Sequence, residues 1–228
     1  MITLYTGTPG AGKSYHMAAD IMLQFKRGKY IFTNFEVNTD YLKKKYPKSK
    51  AEVFCVDNRE LQYPFGLEGF SRNFCKSDKD GRVFERQCYL FIDECQNNFD
   101  ARQWNIKGRA EWNHWLSEHR KDGFQVYLIT QNDSDIDKKI RGRIEQEEKH
   151  FKVNNFKIFG QILAILCGGN LFFRKAYWYT KGKANKDVIS TSFAVGHKKY
   201  FRIFNTSKRF LRSFTDRPVW LEKGSVSK

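Results

Sequence analysis

The stretch "YTGTPGAGKS", residues 5 to 14, is almost without bulky side chains and follows directly on the apolar run Ile2 to Tyr5. Its pattern is G-x-x-x-x-G-K-S, made by Gly7, Thr8, Pro9, Gly10, Ala11, Gly12, Lys13 and Ser14, with Tyr15 next in the chain. An apolar strand that ends in such a loop and passes into a helix is the context of a phosphate-binding P-loop. Glycines at 7, 10 and 12 let successive backbone N–H groups converge on one anion, and a helix starting near Lys13 adds the positive end of its dipole. A triphosphate fits such a cradle. Lys13 is then the point charge for the β- and γ-phosphates, Ser14 the hydroxyl ligand of the bridging Mg²⁺, and residues 7 to 15 the expected ATP-binding set. The competing reading is a glycine-rich turn that binds nothing.

A second segment supplies what the loop lacks. "YLFIDEC" is an apolar strand that delivers Asp93 and Glu94 at its carboxyl end, where parallel sheets hold their ligands. Asp93 is expected to hold Mg²⁺, through its water shell or together with Ser14, and Glu94 to polarise the water that attacks the γ-phosphate. Two adjacent carboxylates at the end of an apolar strand are costly unless a cation pairs with them. Gln131 closes the next apolar run, "VYLITQ", in position to touch the γ-phosphate or the lytic water. Arg120, Arg141 and Arg143 follow as candidate arginine fingers for a neighbouring subunit.

The remaining pattern agrees with an α/β fold: a P-loop NTPase with a mainly parallel sheet flanked by helices. Met17, Ile21 and Phe25 mark one face of a helix ending near Gly28, and residues 30 to 34, 51 to 56, 88 to 93 and 124 to 131 read as strands. Trp112, Trp115, Leu116 and His119 line one side of a helix starting near Gly108. Residues 64 to 87 mix Gly, Lys, Asp and Ser and read as a long irregular excursion. From about residue 143 short aromatic and basic segments indicate a small β-rich appendage, and residues 1 to 145 are read as the ATPase core and 146 to 228 as a β-rich C-terminal part of the same domain.

A charge of +16 on 228 residues suits a polyanion or an anionic membrane surface better than a small neutral substrate. Five cysteines without a C-x-x-C pair indicate neither a disulfide framework nor a zinc site, and no secretory leader is read at the start, which points to the cytoplasm. The longest apolar run, 158 to 173, contains Gln161, Asn170 and a Gly-Gly pair and falls short of the roughly 20 residues of a spanning helix.

The segments "YLFIDECQNNFDARQW" and "WLSEHRKDGFQVYLITQNDSDIDKKIRGRIE" resemble the zonular occludens toxin (Zot) family, which includes the gene I assembly proteins of filamentous phages. The matching features are the P-loop, Asp93 with Glu94, the aromatic segment Phe99 to Trp104, Arg120 with Lys121, Gln131, and Asp137 with Arg141; "KYFRIFNTSKRF" is similar to the close of the family's cytoplasmic domain. Arg141 matches the family position and Arg143 does not, so Arg141 leads as finger, with Arg120 second. The resemblance implies a cytoplasmic ATPase domain at the inner membrane of a bacterial host. It also implies a homo-oligomeric ring, with phage single-stranded DNA and coat or export-channel proteins as partners, driving virion assembly and extrusion. After Phe214 the sequence continues only as "TDRPVWLEKGSVSK", without the family's transmembrane helix. Either the cytoplasmic domain is truncated there, or the protein reaches the membrane through a partner or its own basic and aromatic surface. Two other functions compete with the motor: a nucleotide-gated adaptor that binds ATP without sustained turnover, and a small-molecule kinase. The excursion at 64 to 87 carries few of the arginines a kinase lid would need.

Overall fold

The structure, a computed structural model, describes residues 1–103, 106–153, 171–179 and 187–204. Among these, eight strands form one sheet: β1 (Ile2–Thr6), β2 (Tyr30–Thr33), β3 (Glu52–Cys55), β4 (Cys88–Ile92), β5 (Phe124–Ile129), β6 (Gln146–Lys152), β7 (Leu171–Trp178) and β8 (Val188–Val195). Their spatial order is β3-β2-β4-β5-β1-β6-β7-β8. Every neighbouring pair from β3 across to β6 is parallel, while β6/β7 and β7/β8 are antiparallel. The mainly parallel α/β sheet of a P-loop NTPase with C-terminal strands at its edge is thus the observed architecture.

The continuous apolar strands β1, β4 and β5 are buried along their whole length because helices cover both faces. On one face α1 (Lys13–Lys26) sets Met17, Ala18, Ile21 and Phe25 against Tyr5, Ile31, Phe91 and Ile129, with Leu42 of α2 (Thr39–Lys45) beside them. On the other, Trp112, Trp115 and Leu116 of α5 (Arg109–Glu118) and Ile140 of α6 (Lys138–Arg141) meet Leu4, Leu90, Val126 and Leu128. Phe99 of α4 (Gln96–Phe99) completes this layer.

Residues 64 to 87 are not irregular throughout. Phe65–Phe74 form α3, which buries Leu67 and Phe70 and stacks Phe70 on Phe74. The i, i+3, i+7 spacing of Leu67, Phe70 and Phe74 is helical, and tertiary packing outweighs the unfavourable propensity of Gly66 and Gly69.

The C-terminal strands begin inside the main sheet. β6 lies parallel to β1, pairing Thr3 with Gln146 and Thr6 with Lys149, before the chain turns antiparallel into β7 and β8. Among the described residues no helix is long and apolar enough to cross a membrane. Of the run 158–173, only Leu171, Phe172 and Phe173 are described, and they open β7; the rest lies outside the described residues.

Candidate functional site

The loop between β1 and α1 has the conformation its glycines permit. Gly7, Gly10 and Gly12 take φ of 142°, 75° and 97°. Two of them are also pressed from behind. A Cβ on Gly7 would stand 2.7 Å from the His150 carbonyl oxygen of β6, and one on Gly12 would stand 2.5 Å from the Phe172 ring of β7. Gly10 has open space around it, so the loop is walled on its sheet side and free on its outer side.

Two buried histidines tie the loop's ends to this wall. His16 Nδ1 lies 3.1 Å from the Gly12 carbonyl oxygen and His150 Nδ1 lies 3.2 Å from that of Thr6. A carbonyl only accepts, so each imidazole is the Nδ1–H tautomer. Burial lowers the His16 pKa to about 4 and that of His150 well below its ordinary value. Beneath them Arg174 of β7 binds Asp20 of α1 at 3.1 Å and Glu148 of β6 at 2.9 Å, and Tyr5 of β1 donates its hydroxyl to Asp20. Burial pushes the Glu148 carboxyl up to about 7, with Asp20 adding to the rise and the Arg174 guanidinium opposing it.

At the loop itself, Lys13 Nζ donates to the carbonyls of Gly7 (2.5 Å) and Thr8 (3.3 Å). Its pKa is lowered by burial, with Glu94 and Asp93 as the charges that oppose the shift. Ser14 is exposed on the first turn of α1. Tyr15 does not face the cradle: its ring packs on Phe172, Tyr200 and Phe201, and its hydroxyl donates to the Val195 carbonyl at 2.5 Å. Alternation around the helix explains it, since the residue after Ser14 turns toward the C-terminal strands.

Asp93 and Glu94 follow β4. Burial, and then the neighbouring Glu94 charge, raise the Asp93 pKa, against the Glu94 N–H bond to its Oδ1 at 3.0 Å and the attraction of Lys13. Glu94 is exposed at φ 47°, a left-handed conformation that a non-glycine residue rarely adopts. Asn34, at the end of β2, donates Nδ2–H to the Asp93 carbonyl at 2.9 Å and accepts the Asp93 N–H at 2.8 Å. Sequence reading missed this clamp; an asparagine directly after an apolar strand was its only signal.

β5 stands between β1 and β4, so its carboxyl end lies between the loop and the two acids. The strand stops at Ile129, and Gln131, two residues on, accepts the Gly7 N–H at 3.2 Å through its carbonyl and keeps an exposed side chain. Arg120 does not join the group. It pairs with Glu145, which also accepts the Ile2 N–H, at the amino end of β1. The loop is at the other end of that strand, roughly 13 Å away at the usual rise per residue. Arg141 closes α6, and Arg143 Nε donates to Asn113. The donor set is hard oxygen, from the exposed Ser14 hydroxyl and the half-buried Asp93 carboxylate. Both suit Mg²⁺.

The family described as "Zonular occludens toxin (Zot)" matches residues 1–167 of the chain. The Gene 1 protein of Salmonella phage IKe is 25% identical over 182 residues, which is 78% of this chain and 48% of that protein. The chain thus spans about half the length of this relative. Among solved structures, the N-terminal domain of zonular occludens toxin from Neisseria meningitidis superposes with a TM-score of 0.51 at 19% identity, covering 89% of this chain and 97% of that one. A second solved structure, the ATPase domain of another protein, gives 0.50 at 10% identity, covering 90% and 84%. At these identities the two structures speak for the fold.

Proposed function

The chain belongs to the zonular occludens toxin (Zot) family, and from that premise we propose that it is a Mg²⁺-dependent ATPase, the motor domain of filamentous-phage assembly and extrusion at the host inner membrane. The observation that carries the reading is Glu94, held at φ 47° immediately after Asp93 and across from the Lys13 loop. A carboxylate kept exposed in a strained conformation, while its neighbour is clamped by Asn34, suits a base whose direction matters more than its comfort.

Each residue has a role on this reading. The backbone N–H groups of residues 7 to 14 and Lys13 bind the phosphates; Ser14 and Asp93 hold Mg²⁺; Gln131 orients the water; Glu94 takes its proton. Bound Mg²⁺ supplies neutralisation of phosphate charge. A homo-oligomeric ring acting on phage single-stranded DNA, with coat or export-channel proteins and the inner membrane as partners, follows from the family and agrees with the +16 charge. The exposed Trp178, Ile189, Phe193 and Phe201 on and beside the C-terminal strands give such partners apolar surface to meet.

The test is Glu94→Gln. The amide keeps the shape and loses the base, so Mg-ATP affinity stays and turnover falls by about 10²- to 10⁴-fold. Turnover within a few fold of the parent would transfer the protein to the nucleotide-gated adaptor class.

A further inference from the structure

The excursion between α3 and β4 ends where it began. Cys75 follows the last residue of α3, Cys88 opens β4, and their sulfurs lie 3.3 Å apart, two free thiols in direct contact. The chain beside them is fastened as well. The Gln87 side chain accepts the Lys76 N–H at 2.8 Å and donates to the Lys76 carbonyl at 2.7 Å, so the residue after one cysteine is gripped by the residue before the other. A bridge between Ser77 and Val83 closes the turn beyond this grip. Held in this way, the two sulfurs need to approach by only about 1.3 Å to reach bonding distance, which is within the reach of side-chain rotation.

The two thiols are not equivalent. Cys75 is half-buried and Cys88 is buried. The hydrogen bond with Cys88 lowers the Cys75 pKa, against the effect of burial, and the Ser71 hydroxyl adds to the lowering. Burial, and then the same bond, push the Cys88 thiol up. Cys75 is therefore the thiol that ionises first and meets solvent, while Cys88 keeps its proton beside it. A partly exposed cysteine of lowered pKa next to a second thiol is the arrangement that reacts with peroxides and then closes to a disulfide. Cys55 and Cys95 lack it. Burial, and then the Glu36, Asp57 and Glu60 carboxylates, push the Cys55 thiol up to about 11, and burial holds that of Cys95 well above its ordinary value.

We propose that Cys75 and Cys88 form a peroxide-responsive dithiol, a modification site independent of the nucleotide chemistry. The Cys75 thiolate attacks one oxygen of a hydroperoxide. The O–O bond breaks, hydroxide leaves and takes up the proton that the thiol gave to solvent, and Cys75 becomes a sulfenic acid. The Cys88 sulfur then attacks the Cys75 sulfur; the S–O bond breaks, and the Cys88 proton leaves with the oxygen as water. Two thiols lose two hydrogens and two electrons, and the peroxide is reduced by the same two. The new bond closes residues 75–88 into a covalent loop that joins the end of α3 to the strand preceding Asp93 and Glu94.

The experiment treats the full, reduced chain with a small excess of hydrogen peroxide at neutral pH, blocks remaining thiols with iodoacetamide at intervals, and maps them by mass spectrometry. Cys75 and Cys88 are expected to become resistant to alkylation together, through a bond within one chain and with the loss of two hydrogens, faster than Cys55 or Cys95 is oxidised by roughly tenfold or more. Dithiothreitol restores both. Cys88→Ser removes the second sulfur, so Cys75 stops at the sulfenic acid and is captured by dimedone. Because Cys88 is buried, Cys75→Ser at the half-buried position provides a second variant, in which Cys88 reacts roughly tenfold or more slowly than Cys75 does in the parent. Absence of the Cys75–Cys88 bond from the oxidised parent, oxidation of Cys55 or Cys95 as fast as Cys75, or undiminished oxidation of Cys88 in the Cys75→Ser protein overturns the proposal.

Discussion

His16 and His150 hold the two ends of the phosphate loop as neutral imidazoles, and their neutrality has a measurable consequence. The folded pKa of His16, about 4, lies below the ordinary 6.5, and that of His150 also lies well below it, in both cases chiefly through burial. Between pH 6.5 and 4 the unfolded chain therefore binds protons that the folded chain refuses. Stability rises with pH across that window and is lost on acidification, by up to about 1.4 kcal/mol per pH unit for each histidine. Thermal midpoints measured from pH 7.5 to 5 should fall steadily. His16→Asn, whose amide can still donate to the Gly12 carbonyl, should lower the slope by the share of one histidine, leaving those of His150 and of His119, whose pKa burial also lowers to about 4, and should leave the pH 7.5 midpoint within a few degrees. A slope unchanged by the substitution would show that other groups set the acid sensitivity.

At the scale of elements, β7 acts as the back wall of the loop. Phe172 closes on Gly12, and Arg174 joins α1, β6 and β7 through Asp20 and Glu148. Arg174→Met leaves those carboxylates without their cation, and a side chain that is 27% exposed places the cost near the lower end of the buried-pair range, about 3 kcal/mol. Urea midpoints check this, and adding Glu148→Gln should recover a large part of the loss; a double variant no better than the single one would mean that the pair is not coupled. None of this wall was legible in the sequence. The loop, Asp93 and Glu94 were, because glycine spacing and an acid pair after an apolar run are local patterns. β6 reads as a polar segment, and Glu147 and His150 are buried in it where they bond to Thr6, a partner more than 140 residues away. Asn34 was hidden for the same reason: its meaning lies in Asp93, on a strand that only the fold places beside it.

For the whole molecule the open question is how one subunit acts on the next, and it turns on Arg141. An ion pair with Asp137, four residues earlier, would have given that arginine a purely local role. The Asp137 carboxylate is instead spent on capping α6, through the N–H groups of Lys139 (2.8 Å) and Ile140 (3.3 Å). Arg141 is half-buried and has no ion pair among the described residues. It also lies three residues before the Ile144–Glu145 turn, whose Glu145 N–H donates to the Ile2 carbonyl at the amino end of β1, far from the loop of its own subunit. We propose that this arginine serves a γ-phosphate across a subunit boundary. On the ring reading, Arg141→Ala and Glu94→Gln are each inactive alone. Mixing them creates some interfaces that join an intact Glu94 to an intact Arg141. ATPase activity then returns on mixing, and because a finger in trans is worth roughly 10³ to 10⁵ in rate, even a minority of such interfaces stands above background. If Arg141→Ala keeps most of its activity and mixing restores nothing to Glu94→Gln, the finger assignment is lost and Arg141 is left with a structural role at the end of α6.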